Sequence, residues 1–319
     1  MRMVLSPTPI ETPRKLRARA RDGLELCLER HRPDSAPLNS LCLAHGFGQT
    51  RLAWARSAQL LAAQGYEVIS ADARGHGDSA RNPVNQRYDF QQFVDDVATV
   101  AGQATHPKPV WVGASMGGLL GLMASVEAAS SPFSALVLVD ITPRWSDDGV
   151  ARILDFMRAN PDGFASLDEA ADAVVRYLPQ RPRKSADRLR SLLREGDDGR
   201  LRWHWDPRLL AELDVEGGSW ADALDDATRR LNVPTLLISG GRSDLVGDEQ
   251  VEHFLSLAPH ARHVRLPTAT HMVVGDENDA FTDAVLDFLP TVGVPAGFSK
   301  DTAHPTDATR AAHRNGVSP

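Results

Sequence analysis

Six short, largely apolar runs recur along the chain, at residues 41–44, 67–71, 110–112, 135–139, 235–238 and 263–266. The intervals between them are too long for hairpins. Several of those intervals carry a helical apolar period, at 52–64, 90–103 and 119–129. Apolar strands of this kind must be covered on both faces, and parallel neighbours need a crossover connection, which the helices supply. The pattern therefore predicts an α/β protein with a mostly parallel sheet between two helical layers. Residues 15–20 and 24–30 instead alternate apolar with polar side chains around Asp22-Gly23. Asp-Gly accepts the positive φ angles of a tight turn, so these two runs read as an antiparallel hairpin at a sheet edge.

The rhythm breaks between residues 140 and 233, where helix-like stretches at 149–159, 167–177, 186–194 and 220–231 follow one another without a comparable buried strand. That interval holds Trp145, Phe156, Phe164, Tyr177, Trp203, Trp205 and Trp220. It reads as a helical cap, residues 142–232, inserted into a core formed by residues 15–141 and 233–290. Residues 1–14 are polar and Pro-containing and read as a loose arm. Residues 291–319 turn to Gly, Pro, Ser, Thr and Ala and read as a disordered tail. For most of the cap aromatics, Trp203-His204-Trp205 included, packing within the cap is the expected role.

Composition narrows the function. A chain of 319 residues with 42% hydrophobic and 24% charged residues buries an ordinary core. Its net charge of -7, with no basic block, gives no general attraction to nucleic acid or to an anionic membrane. No apolar run reaches the ~20 residues of a membrane span, and the N-terminus lacks a signal peptide's apolar stretch, so a cytoplasmic protein is expected. The two cysteines, Cys27 and Cys42, fall in strand-like runs and read as buried, inert thiols. There is no dinucleotide loop, phosphate-binding loop or metal-ligand cluster. We therefore expect no cofactor and no metal, and a small molecule as the partner.

Three chemistry-bearing segments stand at the ends of the apolar runs. Gly113-Ala114-Ser115-Met116-Gly117 joins a strand to a helix, and glycines flank Ser115 where side chains would collide with backbone. A serine in such a turn is a nucleophile held clear at the sheet's carboxyl end, beside a helix N-terminus. His45-Gly46-Phe47-Gly48 ends an earlier strand and can turn amides toward that serine. The backbone N–H groups of Phe47 and Met116 are the candidate oxyanion hole. His271 follows the last strand and is the candidate base. For the acid that orients it, Asp244 in Gly240-Gly241-Arg242-Ser243-Asp244 is preferred over Asp140, which ends the run 135–139; Asp248 ranks third.

With Asp72-Ala73-Arg74-Gly75-His76-Gly77-Asp78-Ser79 added, these segments resemble the α/β-hydrolase superfamily over residues 24–289, in its chain order Ser, Asp, His. The resemblance implies an eight-stranded sheet with its first strands antiparallel, and a helical cap inserted after the sixth strand. It gives Arg74 and His76 structural roles. Ala114 and Thr270 stand where the family often has His or Gln, and Gly, respectively. A serine nucleophile favours attack on an acyl carbon, hence hydrolysis of a small-molecule ester, thioester or lactone through an acyl-enzyme. The alternatives are a cofactor-free haloperoxidase or perhydrolase, a carbon–carbon bond hydrolase, and a non-catalytic ligand-binding protein on the same fold.

Overall fold

The computed structural model describes residues 9–127, 130–179, 189–213, 217–276 and 278–295. Eight strands form one sheet: β1 (Arg14–Arg19), β2 (Glu25–His31), β3 (Ser40–Ala44), β4 (Glu67–Ala71), β5 (Val110–Ala114), β6 (Ala135–Val139), β9 (Thr235–Gly240) and β10 (Arg262–Leu266), with β7 and β8 reserved for a separate hairpin. Their spatial order is β1-β2-β4-β3-β5-β6-β9-β10. β1 and β2 pair antiparallel, as do β2 and β4, and the remaining neighbours run parallel. The expected Asp22-Gly23 turn closes the first hairpin, with Gly23 at φ +91°.

Helices cover both faces. On one, α1 (Ala55–Ala63) and the last helix, α10 (Asn278–Phe288), pack over Leu41, Val68, Val112, Val137 and Ile238. On the other lie α2 (Phe90–Ala101) and α3 (Met116–Glu127), over Leu28, Ile69, Trp111 and Leu138. Strand residues of alternating parity thus face opposite layers, so these runs are apolar throughout rather than alternating. The N-terminus of α2 is closed by a reciprocal capping box between Asp89 and Gln92.

Between β6 and β9 lie α4 (Asp147–Arg158), α5 (Leu167–Tyr177), the hairpin β7 (Leu193–Glu195) and β8 (Leu201–Trp203), the short α6 (Leu209–Glu212) and α7 (Gly217–Arg229). The hairpin differs from the all-helical expectation, because its three-residue strands are too short to show a period. It takes in the end of the stretch read as helical at 186–194, of which residues 189–190 are helical and 186–188 lie outside the described residues. α8 (Asp248–Leu257) and α9 (Val273–Asp276) complete the core. No described helix is long and apolar enough to cross a membrane.

The described residues nearest the two ends of the chain are tied to the core. Ile10 bridges Pro33, and Glu11 N–H donates to Arg32 O at 3.0 Å, so the arm pairs with the exit of β2 from residue 9 onward. At the other end Val294 is buried, and Tyr66 Oη donates to Pro295 O at 2.7 Å. The rest of both segments lies outside the described residues.

The loop after β4 is anchored by charge. Arg74, 1% exposed, donates to both carboxylate oxygens of Asp96 on α2 at 2.7 Å each, and to Asp22 at 2.7 Å. Burial holds the Asp96 carboxyl above its ordinary range even with Arg74 beside it. Removing one partner of a buried pair strands the other charge. Arg74→Ala should therefore cost about 3–5 kcal/mol, read as a drop in the denaturant midpoint. A loss below about 1 kcal/mol would show that the pair does not hold this loop.

Candidate active site

Ser115 sits between β5 and α3 at φ +46°. The flanking glycines are sterically required. A Cβ on Gly113 would lie 2.2 Å from Gly117 O, and one on Gly117 would lie 2.5 Å from Ala44 O. Ser115 N–H donates to Val139 O at 3.0 Å, and Trp111 Nε1 to Gly117 O at 2.9 Å, closing the turn from both sides. The position is strained for a residue with a Cβ, and the packed backbone leaves it nowhere to relax.

The oxyanion loop leaves β3 directly beside this turn. A Cβ on Gly46 would be 3.2 Å from Ser115 Cβ, so the absence of a side chain lets the loop reach the nucleophile. Met116 is the first residue of α3, and its N–H has no intrahelical acceptor. Among the described residues the Phe47 amide likewise has no protein acceptor. Both amides remain available to an oxyanion.

His271 follows β10 in a loop that turns back over the sheet edge. Gly241 N–H donates to Leu266 O at 2.7 Å and Arg242 N–H to Ala269 O at 2.9 Å. Gln49 Nε2 donates to the thioether Sδ of Met272 at 3.0 Å, while Gln49 Oε1 accepts from Gly46 N–H at 3.4 Å. The residue after the imidazole is thereby tied to the oxyanion loop.

The carboxylate that pairs with His271 is not the one favoured from sequence. His271 Nδ1 hydrogen-bonds Asp140 Oδ2 at 2.7 Å. Asp140 is fully buried and is held by Gly240 N–H on Oδ1 at 2.7 Å and by Ser243 Oγ–H on Oδ2 at 2.5 Å. Its φ is +50°, and it and Ser115 are the two non-glycine residues with positive φ among the described residues. Asp244 instead pairs with Arg152 of α4 at 3.1 Å and is partly exposed. The reason is the sheet order: β6 lies between β5 and β9, so its end is next to Ser115, whereas the loop after β9 runs out under α4. There Ser146 N–H donates to Leu245 O at 3.0 Å. Asp248 pairs with Arg265 at the surface. Ser115 and Met116 stand at the end of β5, the 45–48 loop leaves β3 beside them, and the carboxylate paired with His271 is Asp140 where Asp244 was expected.

Three further imidazoles, His45, His76 and His204, are at most 2% exposed and lie behind the oxyanion loop. The His45 and His76 rings are 5.2 Å apart, and those of His76 and His204 6.1 Å. Burial is the main cause that lowers all three: His45 below its ordinary value, His76 well below it, and His204 to about 3. Nothing in a single sequence marked His204 for this place.

Comparison with known proteins agrees with this geometry. The family model described as the alpha/beta hydrolase fold matches residues 39–278. The 3-hydroxybutyrate-oligomer hydrolase of Cupriavidus necator is 28% identical over 75% of this chain and 84% of its own length. The sn-1-specific diacylglycerol lipase ABHD11 of Mus musculus is 27% identical over 80% of this chain and 82% of its own. A solved structure of the Mycobacterium tuberculosis esterase Rv0045c superposes with a TM-score of 0.68 at 26% identity, covering 88% of this chain and 93% of that one.

The buried imidazoles make stability depend on pH. Each takes up a proton in the unfolded chain below about pH 6.5 and refuses it when folded. The folded pKa is the lower one, so this stability is complete above about pH 6.5 and is lost as pH falls from there toward about 3 for His204. His204, held at about 3, should by itself contribute a slope approaching about 1.4 kcal/mol per pH unit between those values, and His45 and His76 act in the same direction. Urea titrations between about pH 6 and pH 5 should show it, and His204→Gln should reduce the slope by one ring's share. An unchanged slope in His204→Gln would mean that this ring titrates alike in both states. With sheet order, nucleophile turn, oxyanion loop and family match in agreement, the chain belongs to the alpha/beta hydrolase fold family.

Proposed function

We propose that the protein is a serine hydrolase that cleaves a carboxylic ester or thioester of a small molecule through an acyl-enzyme. The observation that carries this reading is the 2.7 Å bond between His271 Nδ1 and the buried Asp140, whose preceding residue Val139 accepts from Ser115 N–H in the strained turn at the end of β5. Ester hydrolysis is also the chemistry named for the two curated relatives and for the structural neighbour.

In this mechanism Asp140 accepts from His271 Nδ1–H, which leaves Nε2 as the free base. Nε2 takes the Ser115 hydroxyl proton as Oγ attacks the acyl carbon. The tetrahedral oxyanion is met by the N–H groups of Phe47 and Met116, and the α3 N-terminus adds its dipole. Collapse expels the alcohol or thiol, which takes the proton from His271. Water then enters, gives a proton to Nε2 and attacks the acyl-enzyme, and collapse returns the proton to Ser115 with release of the acid. Asp140's own hydrogen bonds, from Gly240 and Ser243, fix the carboxylate before any substrate arrives.

Ser115→Ala should abolish both turnover of p-nitrophenyl acetate and labelling by a fluorophosphonate probe, with the circular dichroism spectrum unchanged. Labelling that persists in the variant would remove Ser115 from its role.

The two acids separate in a second experiment. Asp140→Asn should lower kcat by about 10^4, on the scale of orienting carboxylates in other triads. Asp244→Asn removes a contact to a half-exposed arginine, so kcat should stay within about threefold. The opposite ranking would return the acid to the loop after β9.

A further inference from the structure

Three successive peptide groups of the oxyanion loop are each held by one imidazole. Gly46 C=O, in the same peptide as the Phe47 N–H, accepts from His45 Nδ1 at 2.8 Å. Gly48 N–H, in the next peptide, donates to His76 Nε2 at 3.2 Å. Gly48 C=O, in the third, accepts from His204 Nε2 at 3.2 Å.

Backbone partners on the far side of each ring assign the tautomers. His45 Nε2 accepts from Ala73 N–H at 3.0 Å, so the proton is on Nδ1. His76 Nδ1 donates to Arg74 O at 3.0 Å, which leaves Nε2 as the acceptor. His204 Nδ1 accepts from Gly77 N–H at 2.9 Å, so its proton is on Nε2, the atom facing Gly48 O. Two of the rings belong to the core, but His204 is carried by the cap, immediately after β8.

The cap is fastened at the same place. Arg194 of β7 donates to Gly77 O, and Arg81 to His204 O at 3.2 Å and Trp205 O at 3.3 Å. Gly48 itself is at φ +73°, and a Cβ there would lie 3.0 Å from Met157 Cε and 3.5 Å from Trp205. Cap atoms therefore lie directly over a glycine whose N–H and C=O are both held by imidazoles.

We propose that His204 is a positioning residue of the oxyanion hole, donating from the cap to Gly48 C=O, the last of the three tethered peptides, and so fixing through them the aim of the Phe47 N–H two peptides earlier. Seating of the cap and assembly of the oxyanion hole are then one event. A misaimed donor weakens the transition state more than substrate binding, so the effect belongs in kcat. The inference rests on the serine-hydrolase reading above.

The test compares three replacements, each checked for folding by its thermal midpoint. His204→Gln keeps a donor that reaches Gly48 O. His204→Asn keeps an acceptor for Gly77 N–H but is too short to reach Gly48. His204→Phe keeps the ring's bulk and neither bond, and stands in if the Asn variant does not fold. The Asn and Phe variants should lose roughly 10- to 30-fold in kcat and in the rate of fluorophosphonate inactivation, with KM within about threefold. The Gln variant should stay within about threefold of wild type. Near-native kcat in Asn or Phe, a Gln variant as impaired as they are, or a loss confined to KM would each overturn the proposal. A wild type that neither turns over esters nor reacts with the probe would instead sink the hydrolase reading, and this role with it.

Discussion

At the nucleophile turn, strand and helix meet backbone to backbone. The space for a Cβ at Gly113 is taken by Gly117 O, and that at Gly117 by Ala44 O. β3, β5 and the start of α3 therefore close on one another with no side chain between them. That contact forces Ser115 into positive φ, brings the Met116 amide beside it, and sets the exit of β3 so that Gly46 can approach the serine. Every other part of the site is placed relative to this closure. The residues at the end of β6 belong to it too, since Val139 O accepts from Ser115 N–H and the next residue is Asp140.

The cap is not a separate body resting on the core. One continuous apolar cluster runs from Leu28 and Leu138 on the sheet through Ile141 and Met157 to Phe164 and Trp203. Within it Trp203 stacks on Trp205 at 5.2 Å, and Phe156 on Tyr177 at 4.3 Å. Polar seams fix the orientation at the margins. Arg144 reaches Asp225 of α7 at 2.8 Å, and His253 of α8 reaches the same carboxylate at 2.9 Å. Arg208 reaches Asp206 at 2.9 Å and the backbone of Asn82 at 2.5 Å. Apolar continuity supplies attachment, and these pairs supply register.

The strands were legible because doubly covered strands must be apolar along their length, and the first hairpin because a one-sided pair must alternate. Ser115, the 45–48 loop and His271 were legible as candidates for a related reason, since each stands where an apolar run stops. The carboxylate beside His271 was not. Asp140 and Asp244 both follow apolar strands, and choosing between them needs the sheet order and the course of the loop after β9. Gly241 lies against Pro267, and Arg152 captures Asp244 from outside, neither of which a linear pattern contains. His204 was hidden for a plainer reason: its imidazole bonds go to backbone groups 127 and 156 residues away. The cap hairpin was hidden by the brevity of its strands.

Among the described residues the sheet is open, so β1 and β10 each leave a row of backbone groups without a neighbouring strand. Both are unusually basic for a chain of net charge -7: Arg14, Lys15, Arg17 and Arg19 stand on one, Arg262, His263 and Arg265 on the other. Lys15 and Arg17 are about half exposed, at 49% and 46% of the side chain. A second molecule pairing either border with either of its own would have to bring arginines against arginines. An added strand would have to be seated among these charged side chains and the acids they pair with, the kind of border that discourages strand-by-strand growth into fibrils.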